Sequence, residues 1–162
     1  DFVAELARIP GIEDLSMTTN GVLLKQFALP LKQAGLQRIN VSLDTLRPEA
    51  FSRITRTDNF REVWEGIEEA LAAELSPVKI NMVTMYGTNH HEVLDFARLT
   101  LRLPLAVRFI EYMPAGGGDW DRSMVFSAAE IIRVIEKELG ALSPIEEAGN
   151  GPAVRYRVPG SI

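Results

Sequence analysis

Two basic residues of this sequence stand in segments that are otherwise apolar and strand-like. Lys79 follows Val78 in one segment, and Arg108 lies in a second segment further along the chain. Burying an unpaired charge is costly, so each cation requires an anionic partner. One alternative is an internal ion pair with Asp44, Glu111 or another carboxylate. The other is an anionic ligand such as a triphosphate, which an arginine can bind through two parallel hydrogen bonds.

Polar side chains recur at every second position of three predicted strands. The intervening positions are apolar, so one side of each strand is polar and the other is apolar. The apolar side must pack against helices and the polar side must face water or a ligand, because a parallel strand buried on both sides is apolar throughout. Taken singly, Thr18 and Ser42 are also compatible with hydrogen bonds to nearby backbone at a strand end. The polar positions are Ser16, Thr18 and Asn20, then Asn40, Ser42 and Asp44, then Lys79 and Asn81.

The strands alternate with amphipathic helices, which predicts an α/β fold with a parallel sheet. A barrel or partial barrel is favoured over an open doubly wound sheet, because the polar side of the strands suits an occupied barrel interior. The strands are predicted over Leu15–Asn20, Arg38–Asp44, Val78–Met85 and Ala106–Met113. The helices are predicted over about residues 22–34, 48–53, 60–74, 89–101 and 127–139.

Three local signals refine these helices. Pro30 is expected to break or kink the first helix, because proline removes a backbone hydrogen-bond donor. Asn89 is expected to cap the fourth helix through its side chain. The spacing of Ser127 and Glu130 predicts a capping box at the start of the last helix.

Composition limits the classes of function. The chain has 162 residues, a formal net charge of −5 and no cysteine. The acidic balance argues against non-specific binding to nucleic acid, and no apolar run approaches the length of a membrane span. Without cysteine these residues cannot supply thiolate ligands to an iron–sulfur cluster. A cytoplasmic location is expected. Both ends read as interrupted elements, which predicts that the sequence is a portion of a longer protein.

Other candidate residues favour ordinary structural roles. His90 and His91 begin a helix and are expected to be a solvated surface pair. Gly116–Gly118 is not followed by Lys-Ser/Thr, so a phosphate-binding loop is not predicted there. Asp119 and Asp121 are expected to be solvated. No residue of the chain is predicted to be catalytic or to ligate a metal.

Four motifs in a fixed order carry a resemblance to a known family. They are TTNG from Thr18, RINVSLDTL from Arg38, VKINMV from Val78 and RFIEYMP from Arg108. In this order and at these separations, the sequence resembles the GTP 3′,8-cyclases of molybdenum-cofactor biosynthesis, a family of radical S-adenosylmethionine (SAM) enzymes. The resemblance covers nearly the whole chain. It implies a partial (βα) barrel similar to a TIM barrel, with four of the family's six strands.

The resemblance also implies a domain organisation and an activity. Residues 1–162 are expected to form a single domain, with βα units over 1–140 and the start of the carboxyl-terminal segment over 141–162. The family converts GTP to (8S)-3′,8-cyclo-7,8-dihydroguanosine 5′-triphosphate with SAM and two [4Fe–4S] clusters. The cysteine motifs that hold both clusters are absent here, so the isolated chain is expected to be inactive. Alternatives are another radical SAM barrel enzyme with an anionic substrate and a non-catalytic nucleotide-binding barrel domain.

By the same resemblance, five residues match ligand contacts of the family. Ser42 and Met113 resemble contacts to SAM, whereas Thr18, Lys79 and Arg108 resemble contacts to GTP. The implied pathway partner is the cyclic pyranopterin monophosphate synthase, with neither nucleic acid nor membrane as a partner. Pairing through unprotected strand edges is expected to give a homodimer or an edge-paired assembly.

Overall fold

Strands and helices alternate along the chain as the hydrophobic pattern predicts. The computed structural model describes residues 2–114, 121–145 and 153–162. None of the helices in these ranges is long and apolar enough to cross a membrane. The helices are α1 (Phe2–Ala7), α2 (Leu24–Gln33), α3 (Pro48–Thr55), α4 (Phe60–Ala72), α5 (Val93–Leu99) and α6 (Ala128–Leu139). The strands are β1 (Ser16–Thr19), β2 (Arg38–Ser42), β3 (Val78–Thr84), β4 (Leu105–Glu111), β5 (Ser143–Pro144) and β6 (Tyr156–Arg157).

The first four strands form one sheet in the order β1-β2-β3-β4, which is also their order in the chain. β1 pairs with β2 in parallel, and β2 pairs with β3 in parallel. Each pair is joined by helical segments, because a parallel connection must return the chain to the same edge of the sheet. The predicted α/β fold with a parallel sheet is therefore confirmed. β5 and β6 form a separate antiparallel pair.

The chain divides into two compact units. The first comprises Asp1–Met82 and Pro104–Arg108, and the second comprises Val83–Leu103 and Phe109–Ile162. The first unit therefore contains β1, β2, most of β3 and the first half of β4. The expectation that residues 1–162 form a single domain stays a prediction.

The core of the first unit lies between the apolar side of the strands and two closely packed helices. Val41 of β2 is fully buried, and its Cγ1 would lie 3.0 Å from a Cβ added at Gly21. The same added atom would lie 3.0 Å from Val63 of α4, so this side of the sheet meets α4. A Cβ on Gly66 would approach the carbonyl oxygen of Gly21 to 2.7 Å. Glycine at this position therefore allows α4 to lie close to the start of α2.

The core of the second unit is formed by α5 and α6 with two residues from loops. The capping box predicted at Ser127 is confirmed: its side chain accepts a hydrogen bond from the Glu130 backbone, and the Glu130 carboxylate accepts one from the Ser127 backbone at 2.8 Å. This box fixes the start of α6. The buried residues of this core are Val93, Ala97, Phe126, Ile131, Ile135 and Val158.

Of the two effects predicted for Pro30, a break in α2 is wrong, because the helix continues through the proline to Gln33, and a kink stays a prediction. The proline removes the hydrogen bond that the carbonyl of Gln26 would accept four residues earlier in the helix. Both Gln26 and Pro30 are exposed. Water can therefore bind that carbonyl, and the helix does not have to end.

Asn89 stands at the predicted N-cap position, but its side chain does not cap the helix. A short 3₁₀ turn, His90–Glu92, follows Asn89, and the Asn89 side chain makes no capping bond. Instead, Asn89 Oδ1 accepts from the Met85 backbone at 2.7 Å and its Nδ2 donates to the Val83 carbonyl at 2.8 Å. The buried amide thus provides hydrogen-bond partners for backbone groups at the end of β3, beyond the last residue of β3 that pairs with β2.

Candidate ligand-binding face

The strands of the first unit carry a polar face on the side away from the helices. We define this polar face by Thr18, Asn40, Ser42, Lys79 and Asn81. The alternate positions of β2, and those of β3 up to Met82, are apolar and at most 1% exposed, as in a strand whose other side packs against the core. This arrangement confirms the alternation predicted from the sequence. The buried positions are Ile39, Val41, Val78, Ile80 and Met82.

Thr18, Asn40 and Lys79 form one row across the polar face. Thr18 of β1 is the register partner of Asn40 in β2, and Asn40 is the register partner of Lys79 in β3. Register partners in a parallel sheet project to the same side, so the three side chains are neighbours. Asn40 Nδ2 lies 3.3 Å from Thr18 Oγ1 and 3.4 Å from the Met17 carbonyl oxygen, and donates to both. Two predicted GTP contacts, Thr18 and Lys79, thus share one row.

Lys79 is the most buried member of the polar face, at 7% exposure. It has an interaction partner within the chain, as a buried ammonium group requires. Its charge also reaches Asp14, which precedes β1. The pKa of Asp14 is lowered by hydrogen bonds from Arg38, and by the charges of Arg38 and Lys79. A buried, charged lysine therefore stands on this side of the sheet, within electrostatic reach of a carboxylate.

Ser42 and Asn81 form the next row, which is uncharged. The two residues are register partners, and the Leu43 backbone donates to the Asn81 carbonyl at 3.0 Å, which extends the ladder beyond Ser42. Ser42 is exposed. Asn81 is half-buried, and its Oδ1 is buried without a hydrogen-bond partner among the residues the structure describes. A predicted SAM contact, Ser42, therefore lies beside an amide oxygen that lacks a partner in the described part of the chain.

Arg108 lies in the part of β4 that belongs to the first unit. Leu105 is buried, and alternation places Arg108 on the opposite side of the strand, the side of the polar face. Arg108 is half-buried. It makes no ion pair with any residue in the described ranges, so its charge is not neutralised by a carboxylate there. The contact of Arg108 with GTP stays a prediction.

Met113 and Glu111 belong to the second unit. β4 ends at Glu111, so Met113 lies two residues beyond the strand and is 58% exposed. Strand alternation therefore does not fix its side, and its contact with SAM stays a prediction. Glu111 Oε1 accepts a hydrogen bond from the Ala128 backbone at 2.6 Å, at the first turn of α6. This carboxylate was an alternative partner for the buried cations, and the structure gives it a helix-capping role.

The expectation that His90 and His91 are both solvated is correct only for His91. His90 is half-buried against Tyr86 and Phe126, with ring centroids 4.5 and 5.3 Å away. Burial lowers the pKa of His90, because a low-dielectric environment disfavours the charged ring. Its Nδ1 accepts a hydrogen bond from the Gly87 backbone at 3.0 Å. The two histidines, predicted to be a solvated pair, therefore differ: His90 is half-buried and His91 is exposed.

Several predicted features lie outside the residues that can be described. Gly116–Gly118 and Asp119 fall in the gap between residues 114 and 121. Asp121 lies at its edge and accepts from the Ser123 backbone at 2.8 Å. Within the described ranges, no group of three or more His, Cys, Asp or Glu side chains could hold a metal ion.

Sequence reasoning missed the pair formed by Asp14 and Arg38. Arg38 Nε donates to Asp14 Oδ1 at 2.6 Å, and a second guanidinium nitrogen contacts Oδ2. Arg38 lies on the same side of β2 as Asn40 and Ser42, because the three are alternate residues of the strand. This alternation could have identified Arg38 as a member of the polar side. Asp14 precedes the predicted strand, so alternation could not have identified it. Asp14 of this pair interacts electrostatically with Lys79 of the polar face.

The sequence matches a known family model and many curated proteins. The model of the radical SAM superfamily matches residues 1–100. A GTP 3′,8-cyclase of Heliobacterium modesticaldum is 60% identical over 118 residues, which is 73% of this chain and 36% of that protein. A GTP 3′,8-cyclase of Pelotomaculum thermopropionicum is 48% identical over 98% of this chain and 49% of that protein.

A human relative extends this similarity beyond bacteria. Molybdenum cofactor biosynthesis protein 1 of Homo sapiens is 42% identical over 99% of this chain and 25% of that protein. The chain spans about half the length of most of the bacterial relatives it matches, such as the Pelotomaculum protein. The four-stranded parallel sheet is consistent with part of the barrel of this superfamily.

Proposed function

Because this chain belongs to the radical SAM superfamily, we propose that the protein containing it is a GTP 3′,8-cyclase of molybdenum-cofactor biosynthesis. The reaction converts GTP to (8S)-3′,8-cyclo-7,8-dihydroguanosine 5′-triphosphate. The names of the Heliobacterium and Pelotomaculum relatives support this activity. The observation that carries the proposal is the row formed by Thr18, Asn40 and Lys79, which has a hydroxyl at one end and a buried lysine at the other.

In this proposal the charged row binds GTP. Lys79 and Arg108 attract the triphosphate, because both are cations on the polar side of neighbouring strands. Asn40 holds Thr18 through the 3.3 Å hydrogen bond to its hydroxyl, which leaves the Thr18 proton available to a ligand. These residues bind and orient the substrate. None of them is proposed to transfer a proton or an electron.

The uncharged row fits SAM. Ser42 is exposed and Asn81 has a buried amide oxygen without a partner among the described residues, so both suit a neutral polar group of the cofactor. Met113 is proposed as a further SAM contact. The chemistry that SAM and a reduced [4Fe–4S] cluster supply when bound is a 5′-deoxyadenosyl radical. The 162 residues contain no cysteine, so the thiolate ligands of both clusters would come from other parts of the protein.

The finer features of the whole protein are also proposals. We propose a cytoplasmic location and an association of two copies, in which the edge strands β1 and β4 of the sheet offer pairing positions. The consuming partner in the pathway would be the cyclic pyranopterin monophosphate synthase. The chain alone is proposed to be inactive, because it lacks the thiolates that a cluster requires.

The test is product formation by the full-length protein. Purified under anaerobic conditions with reconstituted clusters, it should convert GTP to the cyclised triphosphate when SAM and a reductant are added. Cleavage of SAM without conversion of GTP, together with conversion of another anionic substrate, would assign the chain to a different radical SAM enzyme. Binding of GTP without cleavage of SAM would instead indicate a non-catalytic nucleotide-binding protein.

A further inference from the structure

A cation and a carboxylate lie beside the polar face at the amino-terminal end of the strands. Arg38 begins β2 and lies on the same side of that strand as Asn40, two residues later. Its register partner is Ser16, the first residue of β1. Arg38 Nε donates to Asp14 Oδ1 at 2.6 Å, and a second guanidinium nitrogen contacts Oδ2. Arg38 therefore lies one row before the row that contains Lys79.

The backbone on both sides of Asp14 is held by one side chain. Gln37 Nε2 donates to the Glu13 carbonyl at 3.0 Å, and Gln37 Oε1 accepts from the Leu15 backbone at 2.6 Å. The Gln37 backbone also donates to the Leu15 carbonyl at 3.1 Å. An exposed ion pair without such support contributes little to a structure. These bonds and the two-point contact with Arg38 fix the Asp14 carboxylate relative to β2, although its side chain is 55% exposed.

The Asp14 carboxylate interacts with two cations of the polar side. Hydrogen bonds from Arg38, and the charges of Arg38 and Lys79, lower the pKa of Asp14. The carboxylate is therefore ionised at neutral pH. Lys79 is buried, and solvent ions screen the interactions of a buried charge less than those of an exposed one. Because attraction between opposite charges is mutual, Asp14 reduces the positive potential around both cations.

A phosphate group bound at Lys79 would meet the Asp14 carboxylate as a like charge. Asp14 also offsets the charge of Arg38, so this arginine adds little to the attraction for an anion. The repulsion grows with the negative charge of the ligand, so it is larger for a triphosphate than for a monophosphate and is absent for a nucleoside. Binding that is equally tight in the ground state and the transition state does not raise turnover. A residue that limits ground-state attraction is therefore compatible with an enzyme site.

We propose that Asp14 is a specificity-determining residue, whose carboxylate weakens the binding of phosphate groups at Lys79 and so sets the ligand charge that the polar face accepts. The inference rests on the proposed function, under which the ligand at Lys79 is the triphosphate of GTP. Arg38 is a positioning residue, because it keeps the Asp14 carboxylate beside the polar face. Neither residue takes part in bond breaking.

The experiment titrates guanosine, GMP and GTP into the full-length protein with reconstituted clusters. Asp14→Asn keeps the size of the side chain and removes its charge. This variant should bind GTP roughly threefold to tenfold more tightly at low salt, gain less for GMP and bind guanosine as the wild type does. The gain should shrink with added salt. Asp95→Asn is the matched control, since it removes a half-exposed carboxylate that pairs with Arg98 at 3.7 Å in α5, and it should match the wild type.

A second variant tests the role of the arginine. Arg38→Gln removes a positive charge and leaves Asp14 without its two-point partner. This variant should bind GTP more weakly by a similar factor, roughly threefold to tenfold, with guanosine binding unchanged. A purely structural ion pair predicts a different result: both variants would melt at a lower temperature, and neither would change the ratio of GTP affinity to guanosine affinity.

The outcomes separate the inference from the proposed function. If Asp14→Asn binds GTP as the wild type does, or more weakly, the inference is overturned and the proposed function stands. A wild-type protein that binds no guanine nucleotide overturns the proposed function and the inference with it. If Asp14→Asn does not fold, Arg38→Gln still decides, because GTP binding equal to that of the wild type at low salt contradicts an action of this pair on ligand charge.

Discussion

Thr18 and Lys79 lie in the same row of the sheet, with Asn40 as the register partner of both. Two strand spacings separate their backbones, roughly 10 Å. One end of the row is a hydroxyl and the other is a buried ammonium group. A ligand that contacts both must therefore be extended, and negative charge at its Lys79 end would be attracted to the ammonium group. A nucleoside triphosphate has this distribution of groups.

Removal of the Thr18 hydroxyl should weaken GTP binding specifically. Thr18→Val keeps the shape of the side chain, whereas Asn40 Nδ2 loses an acceptor at 3.3 Å. We expect a loss of about 1 kcal/mol in GTP binding free energy, the usual contribution of a neutral hydrogen bond. Isothermal titration with GTP measures it. Thr100→Val, at the end of α5, is the control. Equal weakening of SAM binding in Thr18→Val would argue against a role confined to GTP.

The pair Asp14–Arg38 should make stability depend on acid pH. Hydrogen bonds from Arg38, followed by the charges of Arg38 and Lys79, lower the pKa of Asp14 below its ordinary value of 3.8. The folded state therefore binds its proton less readily than the unfolded state. The stabilisation is present above that ordinary value and is lost as pH falls through the lower folded pKa.

Urea unfolding at a series of pH values measures this effect. The free energy of unfolding should fall between about pH 5 and pH 2, and it should fall less steeply in Asp14→Asn. A smaller slope remains in that variant, because the pKa values of Glu65, Asp121 and Glu130 are also lowered by hydrogen bonds. Identical slopes in the two proteins would show that Arg38 does not favour the charged form of Asp14.

Gly66→Ala should destabilise the first unit although alanine is the better helix former. The new Cβ would lie 2.7 Å from the Gly21 carbonyl oxygen and 2.9 Å from Leu24 Cβ. Overpacking of this kind costs typically 1–3 kcal/mol, against about 1 kcal/mol gained from helix propensity. Thermal unfolding followed by circular dichroism measures the balance. A higher melting temperature in Gly66→Ala would mean that α2 and α4 are not in close contact.

The capping box of α6 should contribute measurably to stability. Ser127→Ala removes the side-chain acceptor for the Glu130 backbone and the hydroxyl that contacts the Glu130 carboxylate at 2.6 Å. Such substitutions cost typically about 1 kcal/mol. Ser143→Ala, at an exposed position in β5, is the control. Chemical denaturation of both variants tests the prediction, and equal stabilities would show that the box contributes nothing.

Regular alternation explains why so much of the sheet could be predicted. In β2, and in β3 as far as Met82, every second residue is apolar, and the structure buries those residues at 1% exposure or less. The bounds of β2 therefore differ from the prediction by only two residues at its carboxyl end. The same alternation identified Thr18, Ser42 and Lys79 as members of one face.

The remaining features depend on contacts that a local pattern does not encode. Pro30 is tolerated because Pro30 and Gln26, whose carbonyl loses its donor, both lie on the exposed side of α2. Asn89 serves backbone groups four to six residues earlier, and not the helix that follows it. Asp14 joins the polar face through Arg38, 24 residues later in the chain. Met113 lies past the end of β4, where side-chain direction is no longer set by pleating.

Lys79 is proposed to bind an anionic ligand, and titration of GTP into the full-length protein is the decisive test of that claim. Lys79→Ala should weaken GTP binding by about 1.5–3 kcal/mol, the range for a hydrogen bond to a charged group. Guanosine binding should be unchanged, and the difference between the proteins should shrink with added salt. Lys137→Ala, an exposed lysine of α6, should match the wild type. Thermal melts of the same proteins complete the comparison. A Lys79→Ala variant that is less stable but binds GTP as the wild type does would contradict the claim and leave Lys79 as one partner of an internal ion pair.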